Sequence, residues 1–190
     1  MFWQRRLPHG TPDGSILLVT WRLADTMPQT PPEILKRESD PGRAFVREDP
    51  ALGRAKSGPR WLKDPRIAAM CVEALRHGEM ERKIYELFAW VLMPHHVHLV
   101  LRPTEPLHEI LRWLKSAAGN RANQILGNSG QRFWQREYYD HWIRSETELW
   151  KVNRYVEHNP VTAGLATSQE RWPWSRAGNC AAGKDRRRYE

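Results

Sequence analysis

Cysteines are scarce in this sequence, and long apolar runs are missing. The two cysteines, Cys71 and Cys180, lie far apart and form no Cys-x-x-Cys motif. This spacing excludes a disulfide framework and a zinc knuckle, and it predicts reduced thiols. No apolar stretch approaches the length of a membrane span, and the first residues lack the apolar core of a signal peptide. We therefore expect a cytoplasmic protein with no membrane partner.

Acidic residues are outnumbered by basic ones. The chain has 30 Lys and Arg against 22 Asp and Glu, which gives a net charge of +8. This balance favours an acidic partner, and nucleic acid is the simplest such partner. Several of the ten tryptophans adjoin an arginine, as in Trp21-Arg22. Such pairs can stack on unpaired bases, although some of these tryptophans must belong to the core. The alternative is a basic but otherwise ordinary surface.

A histidine-rich strand follows a Met-Pro break in an apolar run. Residues 89–103 are AWVLMPHHVHLVLRP, and the apolar segments on either side of Pro94 predict two strands joined as a hairpin. Side chains two residues apart on a strand share a face, so His96 and His98 project together with Val100 and Arg102. Two imidazoles at this spacing can bind one divalent metal. A surface or packed pair of histidines is the alternative.

Apolar periodicity and capping signals predict four strands and three helices. Asp64-Pro65 opens the first helix, which Gly78 should end. Ser145 and Glu148 form a capping box at the start of the last helix, which should end before Asn159-Pro160. After Gly164 the chain is expected to be loop-like. The predicted elements are strand 16–23, helix 64–78, strands 84–93 and 96–102, helix 106–126, strand 139–143 and helix 145–158.

This order of elements predicts an α+β fold. Four strands with two crossover helices correspond to a ferredoxin-like four-stranded antiparallel sheet with helices on one face, to which a C-terminal helix is added. We expect the other face to be open and to present the paired histidines. We predict one domain over 1–176, with a polar, variable excursion at 26–60 that includes a possible short helix at 32–37. A basic, disordered tail should follow at 177–190.

Two polar residues lie one turn apart on the predicted last helix. Tyr155 and Asn159 are at positions i and i+4, so the Tyr hydroxyl and the carboxamide emerge on the same side. A carboxamide oxygen is an acceptable ligand for Mg²⁺ or Mn²⁺ beside two imidazoles. A half-buried core tyrosine and an ordinary residue near a helix end are the alternatives.

Three groups of residues carry a family resemblance. They are His96-Val97-His98 after Met93-Pro94, Phe133-Trp134-Gln135-Arg136 with Asp140-His141, and Tyr155-Val156-Glu157-His158-Asn159-Pro160-Val161-Thr162-Ala163-Gly164-Leu165. Together with Arg5-Arg6-Leu7-Pro8-His9 and Trp61-Leu62-Lys63-Asp64-Pro65-Arg66, they resemble the IS200-like, REP-associated tyrosine transposases of bacteria. These transposases are HUH single-strand endonucleases. The similarity runs from about residue 5 to residue 176.

The resemblance implies a function and a set of roles. Tyr155 matches the nucleophile, His96 and His98 match metal ligands for Mg²⁺ or Mn²⁺, and Asn159 matches the third ligand. The implied activity is metal-dependent cleavage and joining of single-stranded or hairpin DNA through a 5′-phosphotyrosine, in this branch on repetitive extragenic palindromes. A monomer that associates with the bacterial nucleoid is expected. His95 stands where Asn or Glu is commoner, and we expect it to point away from the site.

Two other functions stay open at this point. The same basic sheet could bind structured single strands without catalysis, or the histidines could hold a structural zinc. The predicted DNA contacts are polar or cationic residues that could also be plain surface groups. They are Thr20, Arg22, Arg102, Arg132 and Arg136.

Overall fold

The computed structural model describes residues 14–26 and 58–185. Most of the predicted excursion, the motif that begins at Arg5, and residues 186–190 lie outside these ranges. The described elements are β1 (Ile16–Arg22), α1 (Pro65–Met80), β2 (Tyr85–Leu92), β3 (His96–Pro103), α2 (Leu107–Leu126), β4 (Tyr139–Ile143), α3 (Glu146–Thr162) and α4 (Arg176–Ala181), with 3₁₀ turns at Trp61–Lys63 and Gln169–Arg171.

The four strands form one antiparallel sheet in the order β2-β3-β1-β4. Helix α1 connects β1 to β2 and helix α2 connects β3 to β4, so the two crossovers interleave as the sequence predicted. The pairing places Thr20 opposite His98 and Arg22 opposite His96. Residues directly opposite each other in an antiparallel pair share a face. This register therefore gathers the polar residues of β1 and β3 on one side of the sheet.

Local sequence signals set several element boundaries. The Asp64 side chain accepts a hydrogen bond from the Arg66 amide at 2.9 Å, so it caps α1 with Pro65 in the first turn. Ser145 accepts from the Glu148 amide at 3.1 Å and caps α3. Gly127 ends α2 in a left-handed conformation, with φ of 69°. These three boundaries follow the sequence predictions.

Two apolar cores lie on opposite faces of the sheet. Leu17 and Val19 of β1 belong to the larger core, which α1 and α2 cover. Leu18, between them in sequence, belongs to a smaller core that contains Val156 and Leu149 of α3. The expectation that the second face is open is therefore wrong, because α3 lies across it. The apolar stripe of α3 needs a surface to bury it, and this sheet face supplies one.

Helix α1 continues past the glycine that was predicted to end it. It extends to Met80, and Gly78 is an interior residue. A Cβ atom at Gly78 would lie 2.1 Å from the Tyr85 hydroxyl oxygen. That hydroxyl donates to the Leu75 carbonyl at 2.8 Å. The glycine is therefore explained by the close passage of a tyrosine over the helix.

Helix α3 also extends further than predicted. It ends at Thr162, with Pro160 inside its last turn. A proline there removes one intrahelical hydrogen bond, and the ladder continues because the Ala163 amide donates to the Asn159 carbonyl at 3.0 Å. The predicted end at residue 158 is wrong for this reason.

The C-terminal segment is ordered where a loop and a disordered tail were predicted. Helix α4 occupies Arg176–Ala181, and Ser175 caps it by accepting from the Gly178 amide at 3.1 Å. The Leu92 amide on the outer edge of β2 donates to the Trp174 carbonyl at 2.8 Å. Arg176 is buried, and its guanidinium donates to the Leu87 carbonyl. These contacts close the free edge of β2.

Candidate functional site

The structure brings the two histidines and the tyrosine together on the sheet face that α3 covers. His96 and His98 are fully buried, and their ring centroids are 4.6 Å apart. The ring of Tyr155, on α3, lies 6.1 Å from the ring of His98. Because Tyr155 is 57 positions beyond His98 in sequence, only the packing of α3 on the sheet can place them side by side.

The environment of His96 favours its neutral imidazole form. Burial first, and then the charges of His98, His95 and Arg22, hold the pKa of His96 well below its ordinary value. His98 Nδ1 and Thr20 Oγ1 share a buried hydrogen bond of 2.7 Å. Such a bond fixes the orientation of the ring and leaves its other nitrogen to act elsewhere. A neutral, oriented imidazole is the form that binds metals.

A metal held by His96 and His98 would need a further protein ligand. Within 14–26 and 58–185, no group of three His, Cys, Asp or Glu side chains has metal-binding geometry. A metal bound by His96 and His98 would therefore take its third protein ligand from another residue type. Asn159 is largely buried, one turn after Tyr155 on the same side of α3. It is the residue that the sequence predicted for this role.

The prediction for His95 is wrong. Its side chain is buried, and its ring lies 4.7 Å from the ring of His96 in an edge-on arrangement. The turn between β2 and β3 explains this position. The Met93 amide donates to the His96 carbonyl at 2.9 Å, and the Leu23 amide donates to the His95 carbonyl at 2.9 Å. The turn is thereby folded back against β1, and His95 stays beside the site.

The residues predicted to contact DNA differ in their exposure and in their partners within the fold. Arg22 is half-buried opposite His96, whereas Arg132 and Arg136 are exposed. Thr20 is buried against His98, so its position fits the orientation of that ring better than a contact with DNA. Arg102 pairs with Glu86 at 2.7 Å and lies 5.2 Å from the Phe88 ring centroid, so its charge already has a partner.

A contact that the sequence analysis missed joins β4 to the start of α3. His141 lies on β4 opposite Leu18, and its Nε2 is 2.8 Å from Glu148 Oε1. The other oxygen of Glu148 accepts from the Arg144 amide at 2.7 Å. The predicted capping box is therefore altered, because Glu148 reaches Arg144 and not Ser145. Burial opposes ionisation, but the Arg144 amide and His141 hold the pKa of Glu148 below its ordinary value.

Lys115 has a structural position that sequence alone did not show. Its ammonium donates to the carbonyls of Gln135, Arg136 and Glu137 at 2.9, 3.0 and 3.2 Å. Burial lowers the pKa of Lys115 to about 8, and the Glu137 carboxylate opposes that shift. The lysine thereby fixes the segment that presents Arg136. The only sequence signal for it was a basic residue near the apolar stripe of α2.

Comparison with known proteins identifies the family of the chain. A family model described as "Transposase IS200 like" matches residues 61–159, slightly more than half of the 190-residue chain. The chain belongs to the IS200-like transposase family. The matched range includes all four residues predicted to form the site, with Asn159 as its last position.

Two relatives extend the comparison. A Haemophilus influenzae protein described as a REP-associated tyrosine transposase is 28% identical over an alignment of 104 positions, which covers 48% of this chain and 58% of that protein. A solved REP-associated tyrosine transposase bound to a REP hairpin matches 94% of this chain and 86% of its own, with a TM-score of 0.62 and 18% identity. The chain thus matches little more than half the length of the Haemophilus protein. The predicted fold and family resemblance are confirmed.

The described helices of this family member include no membrane span. None of those in 14–26 and 58–185 combines the length and apolar character that crossing a bilayer requires.

Proposed function

We propose that this chain is a metal-dependent endonuclease and strand transferase for single-stranded or hairpin DNA, with Tyr155 as its nucleophile. The observation that carries the proposal is the position of the Tyr155 ring, 6.1 Å from His98 and on the same sheet face as His96. A core tyrosine needs no such neighbours. A nucleophile that attacks a phosphate beside a metal does need them.

The chemistry is an in-line displacement at phosphorus. The Tyr155 oxygen forms a bond to phosphorus and gives up its phenolic proton. The bond from phosphorus to the 3′-oxygen breaks, and that oxygen takes up a proton. The products are a 5′-phosphotyrosine and a free 3′-OH. Because the phosphotyrosine keeps a phosphodiester bond, a 3′-OH of another strand can reverse the step and join DNA.

The residues around Tyr155 have distinct tasks in this proposal. His96 and His98 would hold Mg²⁺ or Mn²⁺ with Asn159, and the hydrogen bond between Thr20 Oγ1 and His98 Nδ1 would orient the ring so that Nε2 is left for the metal. When bound, the metal withdraws charge from the non-bridging phosphate oxygens. The low pKa of His96 keeps its ring neutral and able to bind the cation at neutral pH.

The proposed substrate is a repetitive extragenic palindrome in hairpin form. The support for this is indirect: a structural neighbour is a REP-associated tyrosine transposase bound to a REP hairpin, and the Haemophilus relative carries the same description. The net charge of +8 suits a polyanionic partner of this kind. Both site halves lie in one chain, which supports cleavage by a monomer.

A denaturing gel with labelled hairpin DNA and Mn²⁺ tests the proposal. The wild-type chain should form a covalent protein–DNA adduct, and Tyr155→Phe should bind the hairpin without forming one. Tyr138→Phe is a matched control, because Tyr138 packs on the opposite core. Tyr139→Phe tests the tyrosine that faces the same side as Thr20.

The result can contradict the proposal in two ways. An adduct that persists in Tyr155→Phe and disappears in Tyr139→Phe would assign the nucleophile to Tyr139. Tight hairpin binding with no adduct under any divalent metal would instead indicate a non-catalytic binding protein.

A further inference from the structure

We propose that the outer side of α3 binds the unpaired DNA strand next to the cleaved phosphate, with one base stacked on Trp150. We call this surface the outer strip, and it consists of Trp150, Lys151, Arg154 and His158. The inference rests on the proposed function for its choice of DNA. It goes beyond that function because it assigns a second contact surface, outside the residues that hold the metal or the nucleophile.

Trp150 is unusually exposed for its type. Its side chain is 51% accessible, and among the described residues the only other large apolar side chain so exposed is Met80. Tryptophan carries a large apolar surface that proteins usually cover, and exposed aromatic rings are concentrated at binding sites. Among the described residues, Trp150 belongs to neither apolar core, and Val152 and Val156 provide the apolar side of α3.

The guanidinium group of Arg154 stacks on the ring of Trp150. The guanidinium carbon of Arg154, one turn later, lies 4.9 Å from the indole centroid. Stacking of this kind keeps the ring in one orientation and leaves its other side for a partner. A preformed aromatic surface loses less conformational entropy on binding than a mobile one.

The charges on the outer strip have one sign. The two charged residues of the strip, Lys151 and Arg154, are exposed cations, and the acidic residue that follows them, Glu157, is buried. The other acidic residues of α3, Glu146 and Glu148, lie in its first turn. The strip beyond that turn therefore offers cations and an aromatic ring with no exposed carboxylate, which suits a polyanion that also carries flat bases.

Helix geometry places the outer strip beside the nucleophile. Lys151 lies one turn before Tyr155 and His158 lies three positions after it, so both side chains neighbour the tyrosine on the helix surface. Trp150 precedes Tyr155 by five positions, which is about 8 Å along the axis and about 140° around it. A strand whose phosphate reaches Tyr155 can continue over Lys151 and around the helix, and it reaches Trp150 with a base a few nucleotides away.

An unpaired strand fits the outer strip better than a duplex does. Bases in a duplex stack on one another and offer no free face to an indole, whereas an unpaired base can stack on it. A hairpin substrate has such bases in the single-stranded DNA beside its stem. The contact should be tolerant of sequence, because every base has a flat face and no exposed acceptor on the strip reads base edges.

Fluorescence anisotropy in EDTA tests the inference on two DNA molecules, a bare hairpin and the same hairpin with unpaired flanks. Trp150→Ala should weaken binding of the flanked hairpin by roughly 5-fold or more, and binding of the bare hairpin by much less. Trp150→Phe should restore most of the loss. Arg154→Ala should also reduce the salt dependence of flank binding by about one unit of slope.

Two matched controls lie on the opposite side of the sheet. Arg82 is an exposed arginine whose guanidinium carbon lies 4.6 Å from the Trp113 ring centroid, and Met80 is 60% accessible. Arg82→Ala and Met80→Ala should leave both affinities unchanged. Equal losses in Arg82→Ala and Arg154→Ala would show a general charge effect and overturn the inference.

Other outcomes also decide the matter. Unchanged binding of the flanked hairpin by Trp150→Ala would overturn the inference. A concentration-dependent dimer that Trp150→Ala dissociates would also overturn it, since the outer strip would then bind a second copy of the chain. The covalent adduct assay on the wild-type chain is independent of these results. Failure to form the adduct, with flank binding intact in EDTA, would count against the nuclease and leave the outer strip as a DNA contact.

Discussion

Replacement of Thr20 by valine tests the orientation of the His98 ring while the ring itself stays in place. Valine keeps the shape of the side chain and suits a strand, but it removes the hydroxyl that is 2.7 Å from His98 Nδ1. A buried polar atom that loses its partner costs about 1–3 kcal/mol. We therefore expect Thr20→Val to fold with a modestly lower melting temperature.

The larger effect should appear in metal affinity. Loss of the partner that orients a metal-binding imidazole typically weakens metal binding by about 10- to 100-fold. In Thr20→Val, the Mn²⁺ concentration that gives half-maximal adduct formation should rise by that factor. Saturating Mn²⁺ should restore most of the rate. His98→Ala, which lacks the ring, should not recover.

Thr26→Val is the matched control for this prediction. Thr26 is also buried, and its hydroxyl donates to the Leu23 carbonyl at 2.9 Å, outside the candidate site. It should lower the melting temperature without changing the Mn²⁺ requirement. If Thr20→Val has the wild-type Mn²⁺ requirement, or if both variants shift it equally, Thr20 does not position His98 for a metal.

Three further predictions concern stability. Gly78→Ala should lower the melting temperature strongly, because its Cβ would lie 2.1 Å from the Tyr85 hydroxyl oxygen, and the double variant with Tyr85→Phe should recover part of the loss. Lys115 has a folded pKa of about 8 against 10.5 for an ordinary lysine, so the unfolded chain holds more protons in that window. The free energy of unfolding, measured by denaturant titration, should therefore increase as the pH rises from about 8 to 10.5. Lys115→Met should remove this increase. The folded pKa of Glu148 lies below its ordinary 4.5, so its contribution should be lost as the pH falls below that value, and Glu148→Gln should flatten this acid dependence.

Local signals in the sequence were sufficient for much of the fold. Strand β4 occupies Tyr139–Ile143, the same residues as predicted, and Asp64 and Ser145 cap their helices. The alternation around His96 and His98 placed both on one face. Each of these features depends on residues within a few positions of one another, so spacing and residue type determine it.

The errors concern contacts between distant parts of the chain. Helix α4 has six residues, too few to be stable by propensity, and it depends on Arg176 reaching a carbonyl 89 positions earlier in the sequence. The sequence predicts a helix end at Gly78, because the tertiary contact with Tyr85 that explains this glycine leaves no local signal. The position of His95 depends on β1, which is far away in sequence. Periodicity carries no information about these partners.

The closure of the β2 edge has a consequence for biosynthesis. The hairpin that bears His96 and His98 receives its last hydrogen bonds from Trp174 and Arg176, near the end of the described chain. A ribosome releases these residues after both strands of the hairpin and after Tyr155. The nascent chain therefore cannot complete the support of its histidines early, and a product truncated before Trp174 should carry Tyr155 without a finished sheet edge. For the proposed nuclease, the support of the metal-binding strand is therefore complete only after residues 174–176 have been made.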